Sequence, residues 1–344
     1  MFRTANVPGS VKIKVVGLGG AGCNAVTRMV QEHIRGVDFI AMNTDTRHLA
    51  ITEAATRIQL GKGITQGLGA GGEYAYGLRA AEESGAEIEQ AIGGADMIFI
   101  TAGMGGGTGT GAAPFVAELA MKSGALTVAI VTKPFKFEGN HRMQVAEEGI
   151  KNLAPKVDTL IIVPNERLLE LADPGTSVES AFKMADEVLF QGVKSIAEII
   201  MIPGLINIDF ASVRTVMKDA GPAWISIGKA SGANRAIDAA KNALTSRLMD
   251  ISVEGATRVL YNITGGDNLT LMEVQRAAEI IQGAVDPHAN IIFGVITDPS
   301  LGNEVRLTLI AAGFTNREHE IEQLLKVSKS EAELQVPPFL RQHR

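Results

Sequence analysis

Between Gly103 and Gly111 the chain reads GMGGGTGTG, six glycines in nine positions. Glycine loses more backbone freedom on folding than any other residue, so such density marks a place where bare main chain is needed. Successive N–H groups in a run of this kind form a concave anion nest, and a helix that follows adds its N-terminal dipole. Thr108 and Thr110 can add hydroxyls. The chemistry that fits is phosphate binding. The usual phosphate loop, with a lysine ahead of Ser or Thr, occurs nowhere in the chain, so the phosphate charge must be met by other means.

A second run, GLGGAGCN at 17–24, follows an apolar segment and opens a helical one. It satisfies G-x-G-x-x-G at Gly17, Gly19 and Gly22, and Asp45 stands about where a dinucleotide fold carries its ribose-binding acid. Alone, this loop favours an NAD-type enzyme. A dinucleotide needs one pyrophosphate cradle, however, and two nests facing one crevice suit a triphosphate better. Cys23 is the single cysteine. It excludes an intramolecular disulfide, fits a reducing cytosol and reads as a small buried side chain beside a turn.

The elements that must carry these loops are legible as periodicity. Apolar runs at 11–17, 39–44, 95–103, 125–132 and 159–165 have strand length and alternate with helical segments. That pattern predicts a doubly wound α/β domain with a parallel sheet. Thr176 and Glu179 suggest a capping box for a long helix whose apolar positions recur from Val178 to Ile200 and which stops before Pro203-Gly204. Beyond it the pattern predicts helices at 209–220, 233–249 and 270–284 and strands at 223–228, 256–264, 290–298 and 304–312. Two helices on a small, mostly antiparallel sheet is the natural arrangement. The organisation expected is a nucleotide-binding domain (1–175), a central linking helix (176–202), an α+β C-terminal domain (203–316), a charged linker (317–333) and a terminal peptide (334–344).

The stretches GLGGAGCNAV, MNTD, GLGAGG, GGGTGTG, TKPFKFEG, ASGANRA and GLINIDFA together resemble the FtsZ family, the tubulin-like bacterial cell-division GTPases. The resemblance runs from about Lys12 to Asn316 and includes the tail. It implies GTP or GDP as ligand, with Mg²⁺. It places Gly20, Ala21, Gly22, Cys23, Asn24 and Asn43 at the nucleotide, Gly69, Ala70 and Gly71 at the γ-phosphate, and Gly103, Met104, Gly105, Gly106, Gly107, Thr108 and Gly109 around the phosphates. Glu138 and Arg142 would meet ribose and phosphate, while Asn165, Phe182 and Asp186 would hold the base. Guanine presents N1–H and N2–H₂ donors, which a carboxylate can accept.

The resemblance further implies that water-activating acids sit in the pattern N-x-D-x-x-D and act on GTP bound by the next subunit of a head-to-tail polymer. Here the stretch is NIDFAS, so Asn207 and Asp209 match and Ser212 stands at the second acid. Asp209 is equally suited to cap the 209–220 helix, with Ser212 at its N3 position. A protein that binds GTP and polymerises with little hydrolysis is therefore the alternative. The tail resembles a peptide that docks on membrane-tethering division proteins, through Val336, Pro337, Phe339, Leu340 and Arg341. The net charge of −6 argues against nucleic acid as a partner. The segment MFRTANVPGSVKIK lacks a signal's apolar core, and no apolar run reaches the ~18 residues of a membrane span. A cytoplasmic protein acting at the division site is the expectation.

Overall fold

The computed structural model describes residues 11–34, 36–170, 172–173, 175–245 and 253–314. The predicted tail contacts, Val336 to Arg341, lie outside the described residues. Strands β1 (Ile13–Leu18), β2 (Val37–Asn43), β3 (Thr56–Gln59), β4 (Met97–Gly103), β5 (Leu126–Lys133) and β6 (Thr159–Pro164) pair in parallel in the order β3-β2-β1-β4-β5-β6. Between them run helices α1 (Gly19–Gln31), α2 (Thr46–Ile51), α3 (Lys62–Thr65), α4 (Tyr74–Glu83), α5 (Gly85–Ile92), α6 (Thr108–Lys122) and α7 (Asn140–Leu153). All eight residues of β5 are buried, because helices cover both faces. On one face Val16, Ile98 and Ile100 pack with residues of α4 to α7 such as Ala80, Val116 and Ile150. On the other, Val15, Phe99 and Val128 meet Val26 and Met29 of α1. Strand β3, TRIQ, carries too little apolar signal to be read from sequence.

After the short α8 (Glu166–Leu169) comes the long helix α9 (Val178–Met201). Its Leu189, Val193 and Ile196 lie on the second face of the sheet, and at about 1.5 Å per residue it is about 36 Å long. The expected Thr176–Glu179 capping box is not what starts it. Ser177 is the N-cap and its Oγ accepts the Ser180 N–H at 3.1 Å. With the start one residue later, Glu179 is the second helical residue and cannot reach back to the cap; it pairs with Lys183 at 2.7 Å instead.

The remaining elements are α10 (Phe210–Met217), β7 (Gly221–Ser231), α11 (Arg235–Leu244), β8 (Arg258–Gly265), α12 (Leu271–Gln282), β9 (Asn290–Thr297) and β10 (Glu304–Ala312). Strand β10 pairs antiparallel with β7 and β8, while β9 pairs parallel with β8 at the sheet edge. Helices α11 and α12 share an apolar core with Trp224, Tyr261 and Leu309 on one side. The small sheet is not separate, as the sequence suggested. Thr159, Leu160 and Ile161 of β6 pair with Gly221, Pro222 and Ala223 of β7, so ten strands form one sheet. The buried Asp158 pins this junction: its carboxylate accepts the Thr127 N–H at 2.8 Å and pairs with Lys218 at 2.8 Å.

Candidate functional site

The strand order turns back on itself between β1 and β4. Loops leaving the carboxyl ends of two such strands go to opposite sides and open a crevice. Both glycine runs leave here, one from β1 into α1 and the other from β4 into α6. They bound a cavity of about 230 Å³ whose walls include Leu18, Gly19, Gly20 and Ala21 from the first run and Gly103, Met104, Gly106, Gly107, Thr108 and Gly109 from the second. The far wall carries Thr132, Pro134, Glu138, Arg142, Asn165, Phe182, Ala185 and Asp186.

Within the second run the glycines divide by task. Gly105 holds φ +98°, a left-handed conformation that favours glycine, and its N–H donates to Thr110 Oγ1 at 2.8 Å. Gly106 has open space above it, with Arg142 Nη2 3.9 Å from where a Cβ would stand. Gly111 serves packing alone, since a Cβ there would overlap the Tyr74 carbonyl oxygen of α4. Thr110 was expected to offer a hydroxyl to phosphate; that hydroxyl is buried and turned to the Gly105 N–H, so it stiffens the loop instead. The Thr108 hydroxyl shares a hydrogen bond of 2.6 Å with Thr44, tying the end of β2 to the start of α6.

Several expected contacts stand away from the cavity wall. Cys23 is fully buried with Ala41 and Leu49, and burial pushes its thiol up to about 12, which leaves it inert at neutral pH. The Asn43 side chain turns to α2, where its Oδ1 accepts the Asp45 N–H at 3.3 Å. Asp45 caps that helix, accepting from Arg47 and His48, which gives its carboxylate a structural task in place of a ribose. Gly22 is buried against the Thr101 carbonyl. The 69–71 turn flanks the phosphate loop: Gly69 N–H donates to Thr44 O at 3.2 Å, and a Cβ on Gly107 would come within 2.8 Å of Ala70. Conversely, Thr132, Pro134, Leu18 and Ala185 line the crevice unannounced, because their contribution is position at a strand or helix end rather than chemistry.

The far wall combines charge, aromatic surface and orphaned polarity. Glu138 receives the Phe135 N–H at 2.9 Å and pairs with Arg142 at 2.8 Å, aligning the guanidinium over the glycine loop. Phe182 packs at right angles to Phe135 and Phe137, at 5.5 and 6.2 Å between centroids, and is 40% exposed. Asn165 is 5% exposed and its Oδ1 has no hydrogen-bond partner among the described residues. A buried acceptor left unpaired costs on the order of 1–3 kcal/mol, so this oxygen is set for a donor brought by a ligand.

Asp186, from α9, has its carboxyl pushed up to about 6 by burial, against the opposing pull of a hydrogen bond from Asn24 and the charge of Arg28. A ligand that donates to the carboxylate binds the ionised form. Its affinity should hold steady from pH 7 to 8 and fall as the pH drops through 6, approaching about tenfold per unit below it. Equilibrium titration of GDP between pH 5 and 8 in the native chain and in Asp186→Asn checks this, since the terminal phosphate titrates at about 6 in both; identical profiles would separate Asp186 from the ligand.

The NIDFAS stretch is far from the crevice, beyond the other end of α9. Asn207 Oδ1 accepts the Gly204 N–H at 2.6 Å. Asp209 caps α10, accepting the Ser212 N–H at 2.7 Å. The Ser212 hydroxyl and then its amide hold the Asp209 carboxyl below the usual range, so it is anionic at neutral pH. Among the described residues no three His, Cys, Asp or Glu side chains cluster as a metal site, and no helix is long and apolar enough to cross a membrane.

Comparison with known proteins places this geometry. A model of the GTPase domain of the Tubulin/FtsZ family matches residues 12–173, and one of the FtsZ family C-terminal domain matches residues 221–315. An empty FtsZ dimer from M. jannaschii is 47% identical over 90% of this chain and 90% of that one, with a TM-score of 0.86. CetZ2 from Haloferax volcanii, in a GTPgS-bound protofilament, is 21% identical over 94% of this chain and 100% of that one, with a TM-score of 0.77. CetZ1 from the same organism, a GDP-bound monomer, is 20% identical over 93% and 100%, with a TM-score of 0.79. At those identities the CetZ likeness is one of fold.

Proposed function

The chain belongs to the FtsZ branch of the Tubulin/FtsZ family, and on that premise we propose that it is a GTP-binding protein that assembles head to tail and hydrolyses GTP between successive subunits. One observation carries the division of labour. From Asp186 in the crevice to Met201, α9 alone rises about 22 Å at roughly 1.5 Å per residue, and the acid loop lies beyond that end. Asp209 therefore cannot meet the nucleotide of its own chain. A second copy, stacked by translation, brings its 207–212 loop over the open phosphates, and such a contact repeats into a filament.

In this reading the crevice binds GTP through its own parts. The N–H groups of 106–109, at the start of α6, receive the phosphates on a loop stiffened by the Gly105–Thr110 bond, and Arg142 adds charge at Gly106. Phe182 stacks on the base, and Asp186 and Asn165 read its edge. Asp209 of the incoming subunit, held anionic by Ser212, orients the attacking water more than it withdraws a proton, since a carboxylate with a lowered pKa is a weak base. With no carboxylate cluster among the described residues to cage it, Mg²⁺ would fit this chain as an ion met mainly by the nucleotide and water. It would supply charge neutralisation there. The tail is assigned to membrane-tethering division proteins and the chain to the cytoplasmic division site.

Ser212 supports a second reading, a polymer that hydrolyses GTP slowly, because a serine brings neither charge nor a proton acceptor at neutral pH. Phosphate release measured against protein concentration tests both. Release should begin only above a threshold concentration, and Ser212→Asp should raise the rate above it by about tenfold or more. A rate per molecule independent of concentration would sink the shared site. Brisk native turnover, unchanged in Ser212→Asp, would sink the slow-polymer reading.

A further inference from the structure

We propose that Gly294, on β9, is a positioning residue for hydrolysis: the gap left by its missing side chain seats Ile208, and that seat fixes where Asn207 and Asp209 stand. The inference rests on the reading that the 207–212 loop supplies the acid. Between two exposed polar residues, Ile208 alone is turned inward and is 7% exposed. A Cβ at position 294 would stand 3.0 Å from both Cδ1 and Cγ1 of Ile208, tight enough that the isoleucine must give by a few tenths of an ångström, and 2.9 Å from Asn262 Oδ1, closer than Cβ contacts tolerate. With glycine there, the isoleucine reaches this depth without that shift.

The surrounding backbone locks the same register. Strand β9 is the sheet edge, and its free side takes the loop as a short antiparallel addition. Ile206 N–H donates to Val295 O at 3.3 Å and Val295 N–H donates to Ile206 O at 3.0 Å. Gly204 lies so close that a Cβ there would overlap the Val295 carbonyl oxygen. Asn207 then closes the turn onto Gly204, and Asp209 caps α10. The acid is thus held between a main-chain bridge on one side and a helix start on the other, with Ile208 as the apolar pin between them. A shift of this pin moves the carboxylate without touching the nucleotide crevice.

The test uses the full chain under assembling conditions and measures GTP turnover per assembled subunit, nucleotide affinity and the assembly threshold. Gly294→Ala should lower turnover about tenfold or more, as misplacement by a fraction of an ångström can, with nucleotide affinity unchanged. Adding Ile208→Val, which removes the Cδ1 carbon and makes room for the new methyl, should recover much of the loss. The Asn262 contact is common to both variants and cancels between them. Native turnover by Gly294→Ala, or a double variant as slow as the single, overturns the seat. Should Gly294→Ala lose nucleotide binding and so fail to fold, Ile208→Ala empties the seat instead. The same fall is then expected, and native turnover is again the overturning result. Asp209→Asn separates the two levels: if it keeps native turnover, the acid-loop reading has failed; if it is inactive while Gly294→Ala is unaffected, only the seat has.

Discussion

Asp209→Asn is expected to reduce GTP turnover by about 100-fold or more, as loss of the group that orients the attacking water can, while leaving nucleotide binding intact. The substitution is well controlled by its setting. Asparagine caps helices as well as aspartate does, so α10 keeps its first-turn hydrogen bond to Ser212 and the loop keeps its fold. What disappears is the charge that the Ser212 hydroxyl and amide hold in place. Because the crevice and the acid lie at opposite ends of α9, the defect must also be separable by mixing. A chain disabled in the crevice, Gly106→Glu, and one disabled in the loop, Asp209→Asn, should each be inactive, and together they should regain phosphate release. Turnover by Asp209→Asn at the native rate would remove this residue from the chemistry.

The second large effect concerns base selection. Asp186→Asn should weaken GDP binding by about a hundredfold, since hydrogen bonds to a charged partner contribute roughly 1.5–3 kcal/mol. The same variant should gain affinity for xanthine nucleotides, whose 2-oxo group accepts from the new amide where guanine offers an amine. It should also lose the carboxyl's share of the fall in affinity below about pH 6, because a carboxamide does not titrate, while the share of the GDP phosphate remains. Both outcomes trace to the same carboxyl, the first to its accepting oxygens and the second to its pKa, pushed up to about 6 by burial, and competition binding with GDP and XDP over that pH range reads both. Unchanged preference for guanine would assign the edge contact elsewhere.

The parts of the molecule that were legible in the sequence are those that announce themselves through composition. The glycine runs did so because most of their members hold a backbone conformation or a closeness that other residues do not tolerate. The strands β1, β2, β4, β5 and β6 did so because burial on both faces leaves continuous apolar runs. Other features are carried by residues with no distinctive chemistry. Thr132 and Pro134 enter the crevice because β5 ends there, and nothing in their identity says so. Cys23 and Asn43 sit within motifs of the resemblance yet turn away from the cavity wall, since successive residues point around a helix in steps and to opposite faces of a strand, so only some of a motif can meet the crevice. The start of α9 turned on one residue, and serine and threonine cap almost equally well. The junction of β6 with β7 is invisible locally, because pairing partners sixty residues apart leave no periodic trace.

That junction gives the molecule an uneven stiffness. The β7–β10 ladder runs over nine residue pairs and β5–β6 over six, whereas β6–β7 is held by three. Shear resistance in a sheet scales with the hydrogen bonds that share the load, so strain applied across the chain concentrates at this narrow seam. In the head-to-tail assembly proposed above, one neighbour would meet the crevice half and the other the 207–212 loop, which is bridged to β9 on the other half. Compliance then lies between the two contact surfaces and inside each subunit. Curvature would be stored as many small rotations about Asp158 and its ladder, distributed along the polymer like the links of a chain, without any longitudinal contact having to open.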